Sequence, residues 1–268
     1  LRVGTVPYLV ARPLDMGLEA EAGIQLTRDL PANLVASLRA GDLDVALVSS
    51  IELFRRDGYT YLPGLCVAAN GHISSVLMFH RCPLPELRSV ALDPASHAAR
   101  ALLQVVLSER GIRPEFLDIA AGADPRAASS DAWLRIGDAA LREGCDPTSP
   151  DAISPSTLWR EITSLPFPYA VWIVREGVDL STHLDCFRRA RIRGADSMGD
   201  LIRRGARTWD LDEALVHRYL AEESIFELGD ELPRALSEFR DRAAALGLCE
   251  GARNPRPHAP LSPEGLLR

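Results

Sequence analysis

Short apolar runs alternate with helix-period stretches from the first residue to about Val174. That alternation restricts the chain to an α/β fold whose sheets grow by strand–helix–strand units. Strands are expected near 3–9, 24–29, 44–48, 64–69, 73–80, 89–92, 115–119, 132–136 and 168–174. Helices are expected near 13–20, 32–40, 50–56, 97–110 and 156–163. Gly41 is placed to close the second helix, because glycine takes the left-handed cap conformation without penalty. Ser49-Ser50-Ile51-Glu52 has capping-box spacing, which makes Ser49 the expected cap of the helix after the third strand. Beyond residue 178 the pattern is helical only, near 179–194, 196–205, 211–221 and 230–247, as if the chain returned to cover its first unit. Residues 250–268 carry four prolines and few large apolar side chains, and read as a weakly ordered tail.

Charge and composition then exclude several functions. All 30 basic residues are arginine, so Schiff-base chemistry and a P-loop lysine are ruled out. A net charge of −7 argues against a nucleic-acid partner, whose phosphates need cationic contacts. No apolar run approaches the ~18 residues of a membrane span, so no membrane partner is expected either. The five cysteines are scattered with no C-x-x-C pair, which reads as reduced thiols and a cytoplasmic protein. The six histidines lack metal-ligand spacing, and there is no G-x-G-x-x-G, H-E-x-x-H or G-x-S-x-G motif.

Candidate site residues are therefore sought where strands run into helices, since α/β proteins bind ligands there. The first seam, Val10-Ala11-Arg12-Pro13-Leu14, has its proline where a helix begins. Its leading residue, Val10, can shape a pocket but can neither donate nor accept a hydrogen bond. Ser49 and Ser50 follow the third strand, and Ser74 and Ser75 open an apolar strand after Gly71. In Asp93-Pro94-Ala95-Ser96-His97-Ala98, Ser96 is the expected helix cap. The amides of His97 and Ala98 then stand at a positive helix end suited to a carboxylate. Gly137 and Asp138 open another helix, where the aspartate fits either a substrate hydroxyl or the helix dipole. The aromatics between Trp159 and Trp172 read mainly as core.

Taken together, these segments resemble the chorismate dehydratase family of the futalosine route to menaquinone, over roughly residues 2–245. The resemblance is carried by Arg2-Val3-Gly4 through Ala11-Arg12-Pro13-Leu14, Leu30-Pro31-Ala32, Gly41-Asp42-Leu43-Asp44-Val45-Ala46 and Ser75-Val76. Ala91-Leu92-Asp93, Ile136-Gly137-Asp138-Ala139-Ala140-Leu141, Trp159 and Leu165-Pro166-Phe167 with Ala170-Val171-Trp172 complete it. It implies a two-lobed periplasmic-binding-protein-like (type II) fold, each lobe a mostly parallel sheet flanked by helices. Two crossing strands, 73–80 and 168–174, would join a first lobe of residues 1–75 and 173–249 to a second of 76–172.

The same resemblance implies elimination of water from chorismate without metal or organic cofactor. Ser75 would be the catalytic residue, and Val10, Ser49, Ser50, Ser74, Ser75, Ser96, His97, Ala98, Gly137 and Asp138 would bind substrate. Two departures stand out. The family pattern Tyr-Leu-Asn-Ala-x-Pro-Leu has asparagine where this chain has Val10. Its hydroxyl-rich helix start is thinned to Ser96-His97-Ala98-Ala99. An amide lost from a charged contact costs about 1.5–3 kcal/mol, or roughly one to two powers of ten in binding or rate. The alternative expectation is a diverged, non-catalytic binder of a small carboxylate.

Overall fold

The computed structural model describes residues 1–120 and 122–258. In chain order the elements are β1 (Arg2–Thr5), α1 (Arg12–Asp15), β2 (Gln25–Arg28), α2 (Pro31–Ala40), β3 (Val45–Ser49), α3 (Glu52–Arg55) and β4 (Tyr59–Ala69). Then come β5 (Val76–His80), β6 (Ser89–Leu92), α4 (His97–Glu109), β7 (Glu115–Asp118), β8 (Ala132–Ile136), α5 (Gly137–Gly144) and β9 (Ala152–Ile153). The chain continues through α6 (Pro155–Thr163), β10 (Phe167–Arg175), α7 (Leu184–Asp196), α8 (Met198–Trp209), α9 (Glu213–His217), β11 (Ser224–Glu227) and α10 (Glu231–Ala245). A π-helix, Arg218–Glu223, runs on directly from α9. No helix among the described residues is long and apolar enough to cross a membrane.

The strands form two mixed sheets, one ordered β11-β4-β10-β3-β1-β2 and the other β7-β6-β8-β5-β9. The parallel parts are those built by strand–helix–strand crossovers: β1 with β2 and β3, and β6 with β7 and β8. β10 runs antiparallel to both β3 and β4, and β5 runs antiparallel to both β8 and β9. The expected mostly parallel sheets are thus corrected. The two strands expected to cross between lobes are instead the two that oppose their neighbours. They also lie wholly within one sheet each. The chain passes from the first sheet to the second between β4 and β5, through 70–75, and returns between α6 and β10. Residues 167–172, expected in the second lobe, therefore pair within the first sheet.

Other boundaries move for local reasons. β1 stops at Thr5 because Pro7 has no N–H to give a ladder, and a 3-10 turn, Leu9–Ala11, replaces the end of the expected strand. Gly41 does close α2, at φ 84°. Ser49 is not a helix cap: α3 starts at Glu52 after Ile51 with no side-chain cap, and Ser49 ends β3. The tail is also corrected as far as residue 258. The Glu250 amide donates to Phe54 O of α3 at 3.1 Å, and the His258 amide donates to Tyr61 O of β4 at 2.8 Å, so this segment is tied down at both ends. Residues 259–268 of that tail lie outside the described residues.

β3 is buried along its whole length, as a central strand covered on both faces must be. Most of the aromatics between Trp159 and Trp172 are core. Trp159 and Phe167 are fully buried and meet Phe239 of α10 edge to face, at 6.2 and 4.7 Å between ring centroids. α10 thereby packs on β10 and also touches α4, fixing part of the second-sheet unit to the first.

Candidate functional site

A cleft of about 650 Å³, partly open to solvent, lies between the two sheets. The 3-10 turn after β1 contributes Val10, the end of β3 contributes Ser49, and the segment entering β5 contributes Ser75. The turn before α4 contributes Ser96, the start of α5 Gly137, and β10 Tyr169. Segments as far apart in the chain as Val10 and Tyr169 thus face one hollow. The rest of the lining is largely valine, leucine and isoleucine, with no charged side chain among the described lining residues.

Five of the ten expected ligand-facing residues line this cleft: Val10, Ser49, Ser75, Ser96 and Gly137. The other five do not. Ser50 Oγ donates to Pro168 O at 2.6 Å and ties β3 to β10. Ser74 turns away to Glu223, with its amide donating to Oε2 at 2.7 Å and its hydroxyl to Oε1 at 2.8 Å. His97 faces Glu52, with Nδ1 2.9 Å from Oε1. Ala98 is fully buried in the first turn of α4. Asp138 is buried beside this cleft without lining it.

The turn that carries Ser96 is held by a single carboxylate. Asp93 accepts from the Ala95 amide at 2.9 Å and from the Ile136 amide at 3.3 Å, locking the start of α4 to the end of β8. Ser96 Oγ accepts from the Ala99 amide at 3.2 Å, so the serine is the helix cap and a cleft residue at once. The first-turn amides of such a helix lack intrahelical acceptors and present partial positive charge, a fit for an anion. The Gly137 amide donates to Ser75 O at 2.7 Å, joining the start of α5 to the segment entering β5. At Gly137 φ is +67°, the left-handed region that favours glycine, while an added Cβ would make only ordinary contact with the Tyr8 ring at 3.8 Å.

Charges surround the cleft without entering it. Glu52 is almost fully buried; burial opposes its ionisation, yet His97 and Arg39 hold its carboxyl down at about 2. Arg55 adds a third cationic contact at 3.2 Å. Burial pushes Asp138 up to about 6 against the pull of Arg142, and Asp138 Oδ1 has no partner within the protein. Tyr8, which lines the cleft, is raised to about 12 by burial and by Asp93 and Asp138, so its phenol stays protonated at neutral pH. Among the described residues no group of three His, Cys, Asp or Glu is placed to hold a metal ion.

Among the hydroxyl-bearing cleft residues, sequence reasoning did not name Tyr8 or Tyr219 as site residues and read Tyr169 mainly as core. Tyr169 sits in a run that reads as core strand. Tyr219 sits where the sequence shows only a covering helix. The π-helix that turns it inward has no periodicity signal of its own.

The family described as Menaquinone biosynthesis matches residues 1–245. A protein of Thermus thermophilus named "Chorismate dehydratase" is 32% identical over 235 residues, covering 81% of this chain and 86% of its own. Among solved structures, a protein from Archaeoglobus fulgidus superposes with a TM-score of 0.76 at 15% identity, covering 92% of this chain and 97% of that one. The periplasmic aliphatic sulphonate binding protein SsuA from Escherichia coli superposes with a TM-score of 0.68 at 15% identity, covering 98% and 94%. At those identities the structures speak for the fold alone, which is the periplasmic-binding-protein one. Two mixed sheets, a ligand-sized hollow between them and a match over nearly the whole length agree: the chain belongs to the menaquinone biosynthesis family.

Proposed function

We propose that this protein is a chorismate dehydratase, removing water from chorismate to give 3-[(1-carboxyvinyl)oxy]benzoate. One observation carries the reading: the segments at Val10, Ser75 and Ser96, remote in sequence, meet in a single cleft in a chain 32% identical to a chorismate dehydratase. Chorismate is a dianion with a non-aromatic ring. The apolar wall and the Tyr169 ring suit the ring, while the Ser75 and Ser96 hydroxyls and the first amides of α4 suit the carboxylates.

Elimination breaks the C–O bond to the ring hydroxyl and removes a ring proton, and the ring becomes aromatic, which supplies driving force. The departing hydroxide takes a proton from Ser75, which lines the cleft. No carboxylate side chain lines the cleft among the described residues, so a carboxylate of the substrate takes the ring proton and returns it to the Ser75 oxygen. Such acid–base assistance is worth about two to four powers of ten, compatible with few titratable side chains.

Val10 favours a second reading, a binding protein for a small carboxylate that performs no chemistry. It places an apolar side chain where the family pattern has an amide. Purified protein mixed with chorismate separates the two by mass and ultraviolet absorbance. Appearance of the enolpyruvyl benzoate supports the dehydratase. Saturable binding of chorismate with no product supports the binder, and neither binding nor product defeats both.

A further inference from the structure

Glu52 begins α3, shortly after Ser49, and His97 begins α4, next to Ser96. Ser49 and Ser96 both line the cleft, so Glu52 and His97 stand just beyond it, one from each unit. Their side chains meet, with His97 Nδ1 2.9 Å from Glu52 Oε1. A carboxylate only accepts, so Nδ1 carries the proton and donates it to the bond. Glu52 is 1% exposed and is already fastened to the first-sheet unit. Arg39 of α2 donates to Oε2, and Arg55 Nη1 donates to Oε1 at 3.2 Å. His97 thus brings the second-sheet unit to a carboxylate held in place from behind. The backbone crosses between the units at 70–75 and between α6 and β10, so this bond is an attachment that the backbone does not supply.

We propose that His97 is a positioning residue: its bond to Glu52 holds the Ser96 turn and the first amides of α4 at the spacing from Val10 and Ser49 at which the cleft grips its ligand. The inference rests on the cleft being the site of the dehydratase reaction. Without the bond, part of the population holds the turn elsewhere, and apparent affinity falls with the fraction that stays competent. A bound ligand touches both walls and restores the spacing, so the defect is one of capture and not of the chemical step.

The test compares His97→Ala, which removes the donor, with His97→Asn, whose side-chain N–H stands where Nδ1 does. With chorismate as substrate, His97→Ala should raise KM about fivefold and change kcat less than about twofold. His97→Asn should return KM to within about twofold of wild type. An unchanged KM in His97→Ala overturns the proposal, whether or not kcat or stability falls. An Asn variant no better than Ala overturns it too, since the donor is then not what matters. If wild-type protein leaves chorismate unchanged, the dehydratase reading fails separately, and small-angle scattering of the ligand-free proteins decides. His97→Ala should then have a larger radius of gyration than wild type, and His97→Asn the wild-type value. Equal radii in all three reject the positioning role.

Discussion

The two walls of the cleft are built on different principles. The first-sheet wall is largely apolar, with Val10, Val48 of β3 and Val67 of β4, and carries hydroxyl groups at Tyr8, Ser49 and Tyr169. The opposite wall offers turns: Ser75, Ser96 and Gly137 each open a strand or helix onto the hollow. On that wall Ser75 and Ser96 each have a chain neighbour tied elsewhere, Ser74 to Glu223 and His97 to Glu52. Glu52 belongs to the first-sheet side, so at these two turns polar recognition and attachment fall on adjacent residues. Recognition is thus a property of short turns pinned from outside the cleft, whereas the first-sheet wall supplies shape.

The strongest way to break this contrast is to cut a tie. Glu52→Ala leaves His97, Arg39 and Arg55 without their shared carboxylate. Removing one member of a buried charge cluster should cost about 3 kcal/mol, measured by urea unfolding. A loss below about 1 kcal/mol would show that His97 and Glu52 do not hold the α4 turn.

Beside the cleft a buried carboxyl makes stability pH-sensitive. The folded-state value of Asp138, about 6, lies above its unfolded value, so its protonated form is the one the fold prefers. Stability from this group is therefore full below about pH 4 and declines as pH rises through about 6. Asp15, also pushed up to about 6 by burial beside Arg12, titrates in the same window. Asp138→Asn should flatten the decline by about 2 kcal/mol, leaving the Asp15 share. An unchanged pH–stability slope would contradict the burial argument.

Val10→Asn sharpens the contrast from the other side by placing an amide on the apolar wall. It should raise kcat/KM for chorismate about tenfold, with stability altered by less than about 1 kcal/mol. No gain would mean that this wall contributes shape alone. The smallest effect belongs to Ser50→Ala. Losing the bond to Pro168 O should cost about 1 kcal/mol and leave turnover intact, unlike its neighbour Ser49, which faces the cleft.

The sequence makes the fold legible where periodicity and composition act locally. The buried run of β3, the Gly41 cap and the Ser96 cap follow from residue chemistry, and the two-sheet architecture follows from the family resemblance. Strand direction does not. Nothing in Val76–His80 or Phe167–Arg175 tells a strand that runs with its neighbours from one that runs against them. For the site, the turns were readable, but which of two adjacent residues faces the hollow was not. Ser74 and Ser75 are chemically identical, and only Glu223, 149 residues away, distinguishes them. His97 looked available until Glu52 claimed it. Tyr219 left no trace because a π-helical turn is set by packing, not by a recurring pattern.

The most direct measurement is a crystal structure of the Ser75→Ala protein with chorismate. The account predicts the ligand between the two sheets, its ring against Val10 and Tyr169 and one carboxylate at the amides that begin α4. Chorismate bound at another surface, with this hollow empty, would contradict it.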